Sequence, residues 1–121
     1  MHEYDERFWT ALDELTSSSR IVVDRPKNSR HPRFPDLIYP VDYGYLENTS
    51  SMDGEGIDVW VGSGERKVVG IVCIVDLYKR DSEVKILIGC TKEEVEKIYA
   101  LHNDTAYMKG ILIERPFQRL S

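Results

Sequence analysis

The sequence has little that could anchor it in a membrane or staple it covalently. No apolar run approaches the roughly 20 residues that a membrane-spanning helix needs. The opening MHEYDERFW is acidic where a secretory signal would be basic and then apolar. Only two cysteines occur among the 121 residues, Cys73 and Cys90, both inside apolar stretches (GIVCIV and ILIGC). They read as reduced core thiols, with one disulfide as the alternative, and a cytoplasmic protein is the simpler reading. An excess of basic charge is also missing. Sixteen Lys and Arg against 21 Asp and Glu leave a formal charge of −5, which argues against a nucleic-acid sheath or a polybasic membrane binder. Repeats, low-complexity tracts, a Walker A loop, a G-x-S-x-G elbow and a paired C-x-x-C are all absent.

What is present is a globular composition, 41% hydrophobic and 31% charged, at a length that suits one domain over residues 1–121. Residues 1–18 are expected to carry an amphipathic helix, with Phe8, Trp9, Leu12 and Leu15 on one stripe. Ile21-Val22-Val23 reads as a strand. DRPKNSRHPRFPD follows, too rich in proline for a helix. Residues 37–45 are extended and aromatic, ENTSSMDGEG is a polar turn, and IDVWVG returns as a strand. Two long strands then meet at a turn near Lys79–Ser82. Thr91 and Glu94 offer a capping box for a second helix bearing Val95, Ile98, Tyr99 and His102. KGILIERPF is a last short strand. The order predicts an α+β domain or small barrel.

Four groups of residues carry chemistry. In MDGEGID, Asp53, Glu55 and Asp58 crowd within six residues, and Gly54 and Gly56 let the backbone turn so that their oxygens converge. Such oxygens suit hard cations, Mg²⁺, Mn²⁺ or Ca²⁺, although a solvated acidic turn has the same composition. A calcium EF-hand is a poor match, because Ile57 stands at its fifth position and strands flank the loop. Asp76, Asp81, Glu83 and Lys85 form the second group, with positions 81, 83 and 85 on one strand face and Val84, Ile86 and Ile88 on the other. The third is the basic loop with Arg25, Lys27, Arg30 and Arg33, able to bind phosphate or simply to solvate a turn. Tyr39, Tyr43 and Tyr45 are the fourth, as phenolic donors or as aromatic core. Together these describe a divalent-metal site bordered by cationic and phenolic donors, which suits phosphoryl transfer to water.

The run YPVDYGYLENTSSMDGEGIDVWV closely resembles the family I soluble inorganic pyrophosphatases, whose pattern is Tyr-Pro-x-Asn-Tyr-Gly-Tyr, a short loop, and Asp-Gly-Asp-Pro-x-Asp-Val. Here the two blocks are Tyr39 to Tyr45 and Asp53 to Val59, in the same order and spacing. More loosely, Val23 to Pro26 resembles the family's acid-x-Pro segment, Gly70 to Asp76 its apolar strand ending in an aspartate, and Glu83-Val84-Lys85 its Asp-x-Lys. The resemblance implies a small five-stranded OB-like β-barrel with peripheral helices. It implies hydrolysis of inorganic diphosphate with Mg²⁺, or Mn²⁺, as cofactor, in a homo-oligomer without nucleic-acid or membrane partners. By the same resemblance Asp53, Asp58, Asp76, Glu83 and Asp24 are metal ligands, Glu55 and Tyr43 are catalytic, and Arg33, Arg30, Tyr39 and Lys85 bind substrate. Glu55 and Glu83 replace aspartates, Gly56 a proline and Asp42 an asparagine, and the family's Tyr-Lys phosphate-binding pair has no counterpart near His102-Asn103. Two alternatives follow from these departures: a phosphohydrolase acting on an organic diphosphate or nucleotide, and a barrel that binds metal and phosphate without turnover.

Overall fold

The computed structural model describes residue 2, residues 4–51 and residues 54–116. Asp53 and the end of the last expected strand, Phe117, lie outside the described residues. The elements run α1 (Asp5–Ser17), β1 (Ile21–Arg25), β2 (Asp42–Leu46), β3 (Ile57–Val61), β4 (Val68–Asp76), β5 (Asp81–Ile88), α2 (Lys92–Leu101) and β6 (Met108–Glu114). The six strands form one mixed sheet in the order β1-β2-β3-β5-β4-β6. Every neighbouring pair is antiparallel except β3 with β5. The α+β class is therefore borne out, whereas closure into a five-stranded barrel is not confirmed. A sixth strand, β6, pairs along β4, so β1 and β6 stand at opposite edges of an open sheet.

The period of two along each strand sorts the core into two layers. Val59, Val61, Ile71, Ile86 and Ile88 face α1, which lays Trp9, Leu12 and Leu15 over them. The exposed Phe8 leaves the expected stripe only partly buried, and a salt bridge from Arg115 to Asp13 (2.9 Å) fastens the helix to the far end of the chain. Trp60, Val72, Ile74 and Leu87 face the other way, toward α2 through Val95 and Ile98. The expected capping box is present: the Glu94 amide donates to the Thr91 hydroxyl (3.2 Å) and the Thr91 amide to the Glu94 carboxylate (2.8 Å). That carboxylate also accepts from the Ser63 amide (3.1 Å), so one cap ties α2 to the loop after β3. Both cysteines are free thiols, Cys90 buried and Cys73 half-buried.

Two backbone details position the site. A Cβ on Gly44 would run into the Val22 carbonyl, so only glycine allows β1 to pack this closely beside β2. Opposite it, the register slips between Val23 and Arg25, a bulge that leaves Asp24 without a cross-strand partner. No helix among the described residues is long and apolar enough to cross a membrane.

Candidate active site

The α2 side of the sheet carries apolar residues at one end and charged ones at the other. Tyr43 on β2 stands directly opposite Trp60 on β3, and Asp58 precedes Trp60 on the same face. On β5, Glu83 and Lys85 share that face, and on β4 so do Ile74 and Asp76. The resulting cavity, of about 300 Å³, is lined by Tyr39, Tyr43, Asp76, Glu83 and Lys85 from this set, and by Arg33 from the proline-rich loop.

Lys85 organises the cluster. The residue is only 6% exposed, yet its ammonium donates to Tyr43 Oη (2.6 Å), Asp58 Oδ2 (2.8 Å) and Glu83 Oε2 (2.8 Å). All three donors of the ammonium are used. Burial by itself would push Lys85 down, but the Tyr43 phenol and the two carboxylates outweigh it and hold the group above its ordinary value. Burial likewise raises the Tyr43 phenol, with Lys85 opposing. Tyr43 packs against Trp60 (4.6 Å between ring centres) and Tyr39 (5.5 Å), so the aromatic block is at once core and cavity wall. Tyr39 is raised by burial as well, with Arg25 pulling the other way.

The acidic residues are placed unequally. Asp76 and Asp81 stand directly opposite each other across β4 and β5. Asp76 Oδ1 accepts from the amides of Tyr78 (2.9 Å) and Lys79 (3.0 Å), which shapes the turn between the strands. Asp81 Oδ1 is buried without a hydrogen-bond partner. Glu55 is exposed on a loop closed by the Ser51 amide donating to the Glu55 carbonyl (2.7 Å). That loop turns at Gly54, whose φ of 83° favours glycine. Asp24 is exposed on the β1 bulge, and Arg30 donates to the Pro35 carbonyl (2.9 Å); neither lines the cavity. Asp42 accepts from the Lys27 amide (2.7 Å) and so anchors the basic loop. Among the described residues no three His, Cys, Asp or Glu side chains converge as a ready metal cage.

Sequence reading assigned no role to His31, Lys79 or the buried His102, all of which line the cavity. His31 Nδ1 accepts from the amides of Arg33 (3.0 Å) and Phe34 (3.1 Å), which leaves its proton on Nε2. Burial, then Arg25, Lys79 and Arg33, hold this imidazole below its ordinary value. His102 Nε2 accepts from the Trp60 indole (3.1 Å), so its proton sits on Nδ1, 3.5 Å from the Met108 sulfur. Burial, reinforced by Lys85, pushes His102 down to about 3. The helical stripe through Val95 and Ile98 signalled that position 102 faces inward, but nothing in the sequence paired it with Trp60.

No protein-family profile matches the chain. An inorganic pyrophosphatase of Leifsonia xyli is 22% identical over 134 aligned positions, spanning 78% of this chain and 82% of the relative. An inorganic pyrophosphatase of Geobacillus stearothermophilus is 30% identical over 70 residues, half of this chain and 41% of the relative. Among solved structures, an inorganic pyrophosphatase of Coxiella burnetii superposes with a TM-score of 0.59 at 14% identity, covering 78% of this chain and 84% of the other. One from Helicobacter pylori gives 0.52 at 16% identity, covering 78% and 81%. The fold is thus shared with these proteins. The resemblance to the family I pyrophosphatases is borne out, with this chain a short and divergent relative.

The His102 pocket predicts a pH dependence. An unfolded chain protonates this histidine near 6.5, whereas the folded one resists until about 3. The unfolded state therefore binds the extra proton between those values, and stability present above 6.5 falls as the pH drops toward 3. His102→Gln keeps an acceptor for the Trp60 indole and removes the titration. Urea unfolding between about pH 4.5 and 6 should show a slope smaller than the parent's by close to one proton, about 1.4 kcal/mol per pH unit. An unchanged slope would contradict the assignment.

Proposed function

We propose that this chain is an inorganic diphosphatase, hydrolysing inorganic diphosphate to two orthophosphates with a divalent cation, Mg²⁺ or Mn²⁺, as cofactor. The observation that carries this reading is the gathering of Tyr39, Tyr43, Arg33, Asp76, Glu83 and Lys85 around one cavity. These residues come from the aromatic block, the basic loop and the two strands of the family resemblance, and Asp58 from the acidic block reaches them through Lys85. Similarity to proteins named inorganic pyrophosphatase supports it independently.

The donor set fits a hard cation. Asp81 Oδ1 is a buried acceptor without a partner, beside the facing carboxylate of Asp76. Mg²⁺ keeps several waters and takes one or two carboxylates together with substrate phosphates, so a closed protein cage is not required. The resemblance implies Asp53, Asp58, Asp76, Glu83 and Asp24 as its ligands, and of these Asp76 and Glu83 line the cavity, with Asp81 beside them, and would hold it. When bound, the cation supplies neutralisation of phosphate charge and a more acidic water. Arg33, Tyr39 and Lys85 bind phosphate oxygens in this reading, and Arg30, outside the cavity, would have to leave the Pro35 carbonyl to join them. Lys85 can do so only by exchanging one of its three present acceptors. Tyr43 holds Lys85 and the substrate in register, and Glu55 takes the proton of the attacking water.

The exposed side chains of Val75, Val84, Ile111 and Ile113 lie together on the α1 side of β4, β5 and β6, beyond the helix. Such a patch supports a homo-oligomer. The free thiols Cys73 and Cys90 fit a reducing compartment, the cytoplasm.

Phosphate release from inorganic diphosphate should be measured with Mg²⁺ and with Mn²⁺. The reading expects turnover that Glu55→Gln lowers on the order of a hundredfold, with the fold intact by circular dichroism. No release with either metal would overturn the function. Unchanged turnover in Glu55→Gln would move the proton acceptor elsewhere. Light scattering should show a species above 14.0 kDa; a monomer at high concentration would remove the oligomer.

A further inference from the structure

The cavity does not end at its charged wall. Arg33, Phe34, Leu37, Leu101 and Tyr107 line both it and a second hollow of about 610 Å³. Both volumes fall in the range of organic-ligand sites, roughly 300–1,000 Å³. Three aromatic rings from three separate segments stand where the hollows adjoin, Phe34 and Tyr107 lining both and Tyr78 the inner one. Phe34 comes from the proline-rich loop, Tyr78 from the turn between β4 and β5, and Tyr107 from the connection between α2 and β6. They touch one another, Phe34 to Tyr78 at 6.3 Å and Tyr78 to Tyr107 at 5.8 Å between ring centres. Yet they stay 38%, 62% and 37% exposed. Single exposed rings are ordinary on a protein surface; a contiguous set at the mouth of a cation-lined cavity is not.

Both signs of charge line the inner cavity: Asp76, Asp81 and Glu83 stand there beside Arg33, Lys79 and Lys85 and the Nε2 donor of His31. Among the described residues neither Arg33 nor Lys79 makes a salt bridge, so both cations are available to an anion. Asp36 and Asp104 line the outer hollow together with Arg33, and their carboxylates can accept from hydroxyl groups. Inorganic diphosphate has no apolar surface and would leave the rings and the outer carboxylates without a ligand.

We propose that the adjoining hollows take a nucleoside diphosphate, with its phosphates toward Arg33, Lys79 and Lys85, its base on the rings of Phe34, Tyr78 and Tyr107, and its sugar hydroxyls toward Asp36 and Asp104. Stacking suits the rings, and a carboxylate facing ribose hydroxyls is the usual arrangement in nucleotide sites. The inference rests on the function proposed above, because the same phosphoanhydride chemistry acts on the longer substrate. The oxygen of water bonds to the terminal phosphorus. The bond from that phosphorus to the bridging oxygen breaks, and the oxygen leaves with the electron pair on the nucleoside monophosphate. The other product is orthophosphate, and at neutral pH a proton goes to solvent.

Calorimetry with two ligands that do not turn over tests this: α,β-methylene-ADP and methylenediphosphonate, both with Mg²⁺ present. The nucleotide analogue should bind at least about tenfold more tightly. Tyr78→Ala with Tyr107→Ala should abolish that preference and leave methylenediphosphonate unchanged. Equal or weaker binding of the nucleotide analogue, or a preference that survives in the double variant, overturns the inference. If inorganic diphosphate is hydrolysed while no nucleotide preference exists, the proposed function stands and this inference falls. If methylenediphosphonate does not bind and inorganic diphosphate is not hydrolysed, both fall.

Discussion

A single buried ammonium holds the charged end of this protein together. Lys85 joins β2, β3 and β5 through Tyr43, Asp58 and Glu83 in one hydrogen-bonded cluster. Taking a lysine out of water is costly, and the cluster is tolerable only because every donor finds an oxygen and two of those oxygens carry charge. The same arrangement holds the Asp58 and Glu83 carboxylates close together around one ammonium. Removing the cation would leave two facing carboxylates on a partly buried surface, so fold and site depend on the same atoms.

Around that cluster the sheet supplies rigid placement. The period of two separates the α1 layer from the α2 layer, and the parallel pairing of β3 with β5 sets Asp58 beside Glu83 and Lys85. Gly44 lets β1 approach, and Asp42 anchors the basic loop through the Lys27 amide. Tyr39, Tyr43, Trp60 and His102 then continue inward as a chain of ring contacts from the cavity wall to the core. Polar and apolar demands are met by the same aromatic residues, which is why the tyrosines can serve both packing and donation.

Local patterns made much of this legible. The capping box at Thr91 and Glu94, the stripe of α1 and the shared face of 81, 83 and 85 all rest on short-range periodicity, and all appear in the structure. Closure of the sheet was not legible, because strand order is set by pairings between distant segments, such as β4 with β6. The site divided in the same way. Tyr43, Glu83 and Lys85 stand on strands whose alternation fixes where they point. Asp24, Arg30 and Glu55 stand on a bulge or in loops, where counting along a pattern does not fix direction. His31, Lys79 and His102 carry no motif and acquire their surroundings only when three loops and α2 fold over the sheet.

Replacing Lys85 tests the dependence of the whole arrangement on one cation. In Lys85→Met the volume is nearly kept and the charge is lost. Urea unfolding at pH 7 should then show a loss of about 3–5 kcal/mol, the cost of leaving two partly buried carboxylates unpaired. A variant as stable as the parent at pH 7 would contradict the central place given to this ammonium.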